Sequence, residues 1–234
     1  MYRFIKYFIY TIISLYLLLN LALYGTYKYQ LSKIDTTKIT QHKSYDYKDD
    51  VYATYWATFA HTSDMEMKPF YSFDFPLELY KILNSKDIND RYYNDSLILC
   101  NRVTLSTMYG EKLTGKRKSR QLERNVHAIW MTHNLTTKEV MDIFFSKMYY
   151  ANKYYSLVEA SHGYFRKEVN ELDTYELIML HAITHAPSHY NPRKHKVRLL
   201  NRVNRLIKRA KVVFPVRYKD LKDLSLLPNF EDNT

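Results

Sequence analysis

Residues Tyr7 to Tyr24 form an uncharged, mostly apolar stretch interrupted only by Thr11, Ser14 and Asn20. About 18–20 residues at a rise of roughly 1.5 Å each can span a hydrocarbon core. The pattern therefore predicts a transmembrane anchor within residues 1–27. Arg3 and Lys6 precede it, and tyrosines crowd both ends like an interfacial belt. A cleaved signal peptide is the rival reading, but no small-x-small cleavage site stands before Gly25, which favours an uncleaved anchor. Residues 28–50 are polar, lack helical periodicity and read as a juxtamembrane linker. Beyond them, apolar positions recur at helical spacing. Val51 to Ala60 predicts a helix, Pro76 to Leu83 a short one, and Gln121 to His133 a buried stripe of Val126, Ile129, Trp130 and Met131. Thr136 with Glu139 three residues on makes a capping box, followed by Val140, Ile143, Phe144 and Met148 on one face. Thr174 to Ile183 and Val197 to Ala210 predict two more helices. No run of alternating strands appears. The fold class is mainly α, with a helical domain over 51–212 and a C-terminal tail over 213–234.

Composition narrows the chemistry. The 4 glycines among 234 residues disfavour Gly-rich phosphate loops, and the single cysteine, Cys100, leaves no disulfide framework or Cys-based zinc cage. A formal charge of +11 implies attraction to an anionic partner: nucleic acid, lipid headgroups or pyrophosphate-linked substrates. The membrane segment argues against nucleic acid. His181, His185 and His189 recur every four residues, but no Glu follows His181 and Pro187 breaks the helix before His189. Capping and surface imidazoles are the better reading, with no metal site. Arg198, Arg202, Arg205, Lys208, Arg209 and Lys211 alternate with apolar residues as a basic amphipathic helix. Its cations could meet lipid, hold a pyrophosphate, or simply face water.

The wording of several segments is more specific. Ala186-Pro187-Ser188-His189-Tyr190-Asn191-Pro192 sets a rigid turn between two helices, because each proline fixes φ and lacks an N–H. Tyr164-Phe165, Lys167, Leu172 and Glu176 precede it in order, and Asn204 sits in the Arg-rich helix after it. From Leu135 to Arg209 this resembles, without a gap, the glycosyltransferase family 51 domain of penicillin-binding proteins and monofunctional transglycosylases. The resemblance implies a lysozyme-like α-helical fold and a role in peptidoglycan biosynthesis. It also implies an outward-facing domain on the bacterial cytoplasmic membrane, lipid II or a glycan strand as partner, and contact with other cell-wall synthesis proteins. No transpeptidase segment is expected after Lys211.

The family polymerises lipid II with a carboxylate as general base and cations, in some members a divalent ion such as Mg, at the pyrophosphate. The chain departs from its motifs. Where the family has its glutamate, the gap-free register places Ser63, followed by Asp64; a serine hydroxyl is no base near neutral pH. A shifted register offers Glu66 instead. Thr104 survives from the second motif, whose glycines and glutamines are replaced around Leu99-Cys100. Arg120 survives from the third, with Glu123 one residue early, which rotates it by about 100° on a helix. The candidate catalytic residues are therefore Glu66, Asp64 and Glu123. The candidate substrate-binding residues are Thr104, Lys118, Arg120 and Arg202. Three altered motifs on a retained scaffold suggest weakened catalysis, with an active polymerase using Glu66 and a non-catalytic interaction module as alternatives.

Overall fold

The computed structural model describes residues 2–41, 45–71, 74, 84, 94–109, 117–228 and 230, with backbone alone at 2, 38, 106–109 and 117–121. No strand occurs among the described residues, and the chain is mainly α as expected. The expected helix at Pro76 to Leu83 lies outside the described residues.

Helix α1, Tyr2–Leu31, touches the helix Arg117–Asn134, keeps its apolar stretch exposed, and is long and apolar enough to cross a membrane. Its polar side chains turn onto their own helix: Thr11 Oγ1 donates to Tyr7 O at 2.9 Å and Asn20 Nδ2 to Tyr16 O at 2.8 Å. Such back-bonding spares each group the cost of a bare donor in hydrocarbon. The helix outruns the sequence boundary at 27 by one turn, and Lys33 closes it over the Tyr29 ring at 3.9 Å.

After the short α2, Thr37–Thr40, the segment assigned as linker is already part of the domain. Tyr47 is buried, edge-on to Phe145 at 5.4 Å, and Lys48 N donates to Asn170 Oδ1 at 2.9 Å. Polar neighbours Asp46 and Lys48 masked this in the sequence, since one docked tyrosine makes no period.

Helix α3, Asp49–Ala57, lies in the core against α8, Thr174–Thr184, and α9, Lys196–Val213. On the other side α4, Asp95–Tyr109, packs on α5, Arg117–Asn134, and on α6, Thr137–Lys147. Helix α7, Leu157–Phe165, joins α6 to α8. The capping box expected at Thr136 is present: Thr136 N donates to Glu139 Oε2 at 2.7 Å and Glu139 N to Thr136 Oγ1 at 3.3 Å. Asp173 and Glu176 repeat the device at α8. The residues after α9 return to the core: the Tyr218 hydroxyl meets Thr54 Oγ1 at 3.1 Å, and Phe230 packs on Tyr164 at 5.6 Å.

The Pro/Asn turn is bolted rather than merely bent. Buried Asn191 accepts from Arg193 N at 2.9 Å and donates to Asn152 Oδ1 at 2.9 Å. Asn152 in turn donates to the Tyr164 hydroxyl, which donates to Tyr150 O. Asn191→Ala leaves several of these groups unpaired, and at about 1 kcal/mol per bond should cost roughly 2 kcal/mol in urea unfolding.

Candidate functional site

The site grows from the end of α3. Its last turn buries Trp56, whose indole N–H donates to Thr62 O at 2.7 Å and folds residues 58–62 back on the helix. Asp95, the first residue of α4, then ties this loop from outside. Its Oδ2 accepts from His61 N at 2.9 Å and Thr62 N at 3.1 Å, while Oδ1 lies 2.8 Å from His61 Nδ1. A carboxylate can only accept, so Nδ1 carries the hydrogen and Nε2 the lone pair. Arg209 reaches in from α9: its guanidinium donates to Phe59 O at 2.5 Å and Ala60 O at 3.2 Å, and Nη2 lies 3.0 Å from His61 Nε2.

Arginines gather around this loop. Arg102 of α4 lies over the Phe59 ring, 5.0 Å from its centroid. Arg202 is half-buried, and its Nε is buried without a hydrogen-bond partner. Burial lowers the Arg202 pKa, and Arg102, Arg205 and Arg209 push the same way. His185 beside them is pushed down to about 4 by partial burial and by Arg202, Arg102 and Arg205. Among the described residues, no carboxylate contributes to either shift. Like charges held together at the edge of a core cost stability unless an anion completes them. Such an arrangement suits a phosphate-type anion, since guanidinium forks match such oxygens in pairs.

The sequence candidates distribute unevenly around it. Arg202 is in the cluster. Ser63 is exposed on the bend beyond Thr62. Asp64 is paired with Lys68 at 2.6 Å, and that ammonium lowers its carboxyl pKa. Glu66 lines a separate groove of about 700 Å³ whose walls include Met65, Met67, His133, Leu135 and Lys138, with no arginine among its described residues. Thr104 is buried, its hydroxyl donated to Cys100 O at 2.9 Å within α4. Glu123 is half-buried on α5. The side chains of Lys118 and Arg120 lie outside the described residues. Sequence reasoning passed over His61, Asp95, Arg102 and Arg209. The spacing of 202, 205 and 209 was the available signal, since steps of three and four put them on one helix face.

The described residues gather no group of three His, Cys, Asp or Glu that could hold a metal ion, and clustered guanidiniums repel cations. A divalent ion does not fit this arginine cluster, and no step is routed through one. His181, His185 and His189 also part company: His181 is enclosed between Tyr55 and Phe145, whereas His189 faces Arg198 at the surface.

Residues 103–211 match the family model described as transglycosylase. The chain is 28% identical over 108 residues to penicillin-binding protein 1A of Pseudomonas aeruginosa, covering 46% of this chain and 13% of that one. It is 33% identical over 96 residues to penicillin-binding protein 1A of Aquifex aeolicus, covering 39% and 13% respectively. Penicillin-binding protein 4 of Bacillus subtilis is 28% identical over 104 residues, covering 44% of this chain and 17% of the relative. The matched stretch thus spans only a small part of each relative. It holds the turn at Asn191 and Arg202, Arg205 and Arg209, while His61, Asp95 and Arg102 precede it. In sequence over residues 103–211 and in the mainly α architecture of its described residues, this chain resembles the transglycosylase family, the lysozyme-like glycosyltransferase domain of penicillin-binding proteins.

Proposed function

We propose that this protein binds lipid-linked peptidoglycan precursors, lipid II or the growing glycan strand, by their pyrophosphate. The domain is anchored by α1 and faces outward from the bacterial cytoplasmic membrane. The observation that carries this reading is the cluster of Arg102, Arg202, Arg205 and Arg209, with no carboxylate among the described residues behind the Arg202 and His185 shifts. Convergent guanidiniums favour the form of a substrate on which negative charge accumulates, so the same residues that bind the pyrophosphate would stabilise its departure. An apolar anchor supports a substrate that itself resides in lipid. Glycosyl transfer also needs a base, and Ser63, at the gap-free position of the family's glutamate, cannot serve. Polymerisation slower than in relatives that keep the glutamate is therefore part of the proposal.

The test is binding. Full-length protein in detergent micelles, titrated against fluorescent lipid II and followed by anisotropy, should show saturable binding. Inorganic pyrophosphate should compete, and added salt should weaken the complex. No saturable binding, or binding indifferent to pyrophosphate, contradicts the proposal.

A further inference from the structure

The arginine cluster touches an acid–base pair, His61 and Asp95, through the contact of Arg209 with His61 Nε2. Asp95, at the start of α4, and His61, in the loop after α3, are 34 residues apart and join at 2.8 Å. The contact fixes the imidazole with Nδ1–H toward the carboxylate and the Nε2 lone pair toward Arg209. The His61 side chain is 29% exposed and that of Asp95 is 11% exposed, so the imidazole reaches solvent and the aspartate backs it. A carboxylate behind an imidazole is the arrangement that orients a histidine as a proton acceptor and steadies the imidazolium it becomes.

We propose that His61 is the general base of glycosyl transfer in this protein, with Asp95 as its positioning residue and Arg209 as a guard that couples the base to the substrate. The inference rests on the preceding reading that a pyrophosphate occupies the arginine cluster. Before substrate arrives, Arg209 donates to Nε2 and occupies the lone pair. Diphosphate oxygens then take over Arg209 donors, and Nε2 becomes available beside the leaving group. As the acceptor sugar oxygen attacks the anomeric carbon, its proton passes to Nε2. The bond from that carbon to the pyrophosphate oxygen breaks, and its electron pair leaves with the diphosphate, whose charge the arginines meet. The imidazolium, held by Asp95, returns its proton to solvent. Neither Asp64, engaged with Lys68, nor Glu66, in the separate groove, has a comparable place beside the cluster.

The experiment measures two quantities on the full-length protein with lipid II in detergent: ligand bound, and glycan polymer formed. His61→Ala should slow polymer formation about 10²–10⁴-fold, the range for a lost general base, with lipid II affinity changed by less than about threefold. Added imidazole should restore part of the lost rate, which a merely structural defect would not allow. Asp95→Asn should lower kcat with little change in KM and move the rising limb of the pH–rate profile. His61→Asn, close in size, serves if His61→Ala fails to fold. Glu66→Gln should polymerise near the wild-type rate. Several outcomes overturn the inference: His61→Ala as active as wild type, activity lost in Glu66→Gln alone, or lipid II bound by wild type without any polymer. Failure to bind lipid II at all refutes the preceding reading and takes this one with it, and the binding measurement tells the two failures apart.

Discussion

Lowering the pH from 7 to 4 is expected to remove about 3 kcal/mol of stability, chiefly through His181. The imidazole is wholly enclosed, 4.7 Å from the Tyr55 ring centroid and 5.9 Å from that of Phe145, with neither ring nitrogen hydrogen-bonded. Burial, seconded by Arg102, pushes its pKa down to about 3. In the unfolded chain the same group titrates near about 6.5. Between those values the unfolded form takes up a proton that the folded form refuses. Its stabilising contribution is thus complete above about pH 6.5 and lost as pH falls toward 3, at roughly 1.4 kcal/mol per pH unit. His185 adds less, because solvent reaches it. Urea unfolding between pH 7 and pH 4 checks this against His181→Phe, which keeps the ring and discards the titration. The variant should be much less acid-sensitive and at least as stable at pH 7, since removing unpaired buried polar atoms costs little. An equal loss in wild type and variant would contradict the assignment.

Arg102→Gln and Arg202→Gln together should weaken binding of a lipid pyrophosphate by at least about a hundredfold, taking roughly 1.5–3 kcal/mol for each charged hydrogen bond lost. The dependence of affinity on salt should flatten in the same variant, because fewer screened charges remain. Stability should move the other way. Arg202 is half-buried among like charges, so neutralising it relieves repulsion, and the melting curve should hold or shift upward. Arg202→Lys separates charge from geometry: a lysine keeps the charge but loses the fork, and should recover only part of the affinity. Anisotropy titrations at two salt concentrations, paired with urea curves, read all of this. Unchanged affinity in the double variant would place the anion elsewhere.

Both results turn on features that the sequence disclosed unequally. Local devices were legible: the Thr136 capping box, the apolar runs that became α6 and α8, the basic periodicity of α9, and the stop at Pro187. Each depends on residues within one or two turns, where spacing alone decides the geometry. What depended on closure across the fold was not legible. Tyr47 looked like part of a polar linker, and Tyr218 and Phe230 like part of a tail. Each buries only because a distant surface, Phe145, Thr54 or Tyr164, waits for it. The site divided in the same way. Arg202 was within reach because it belongs to a periodic helix. His61 and Asp95 were not, since neither stands in a recognisable spacing and their pairing exists only once α4 lies against the end of α3.

One structure determination addresses the central claim most directly: the full-length protein bound to lipid II, with the phosphorus positions located from the density. The account predicts the pyrophosphate between Arg102 and Arg202, within reach of Arg209 and beside His61. Phosphates in the Met65–Lys138 groove next to Glu66, or bound away from α9 altogether, would contradict it.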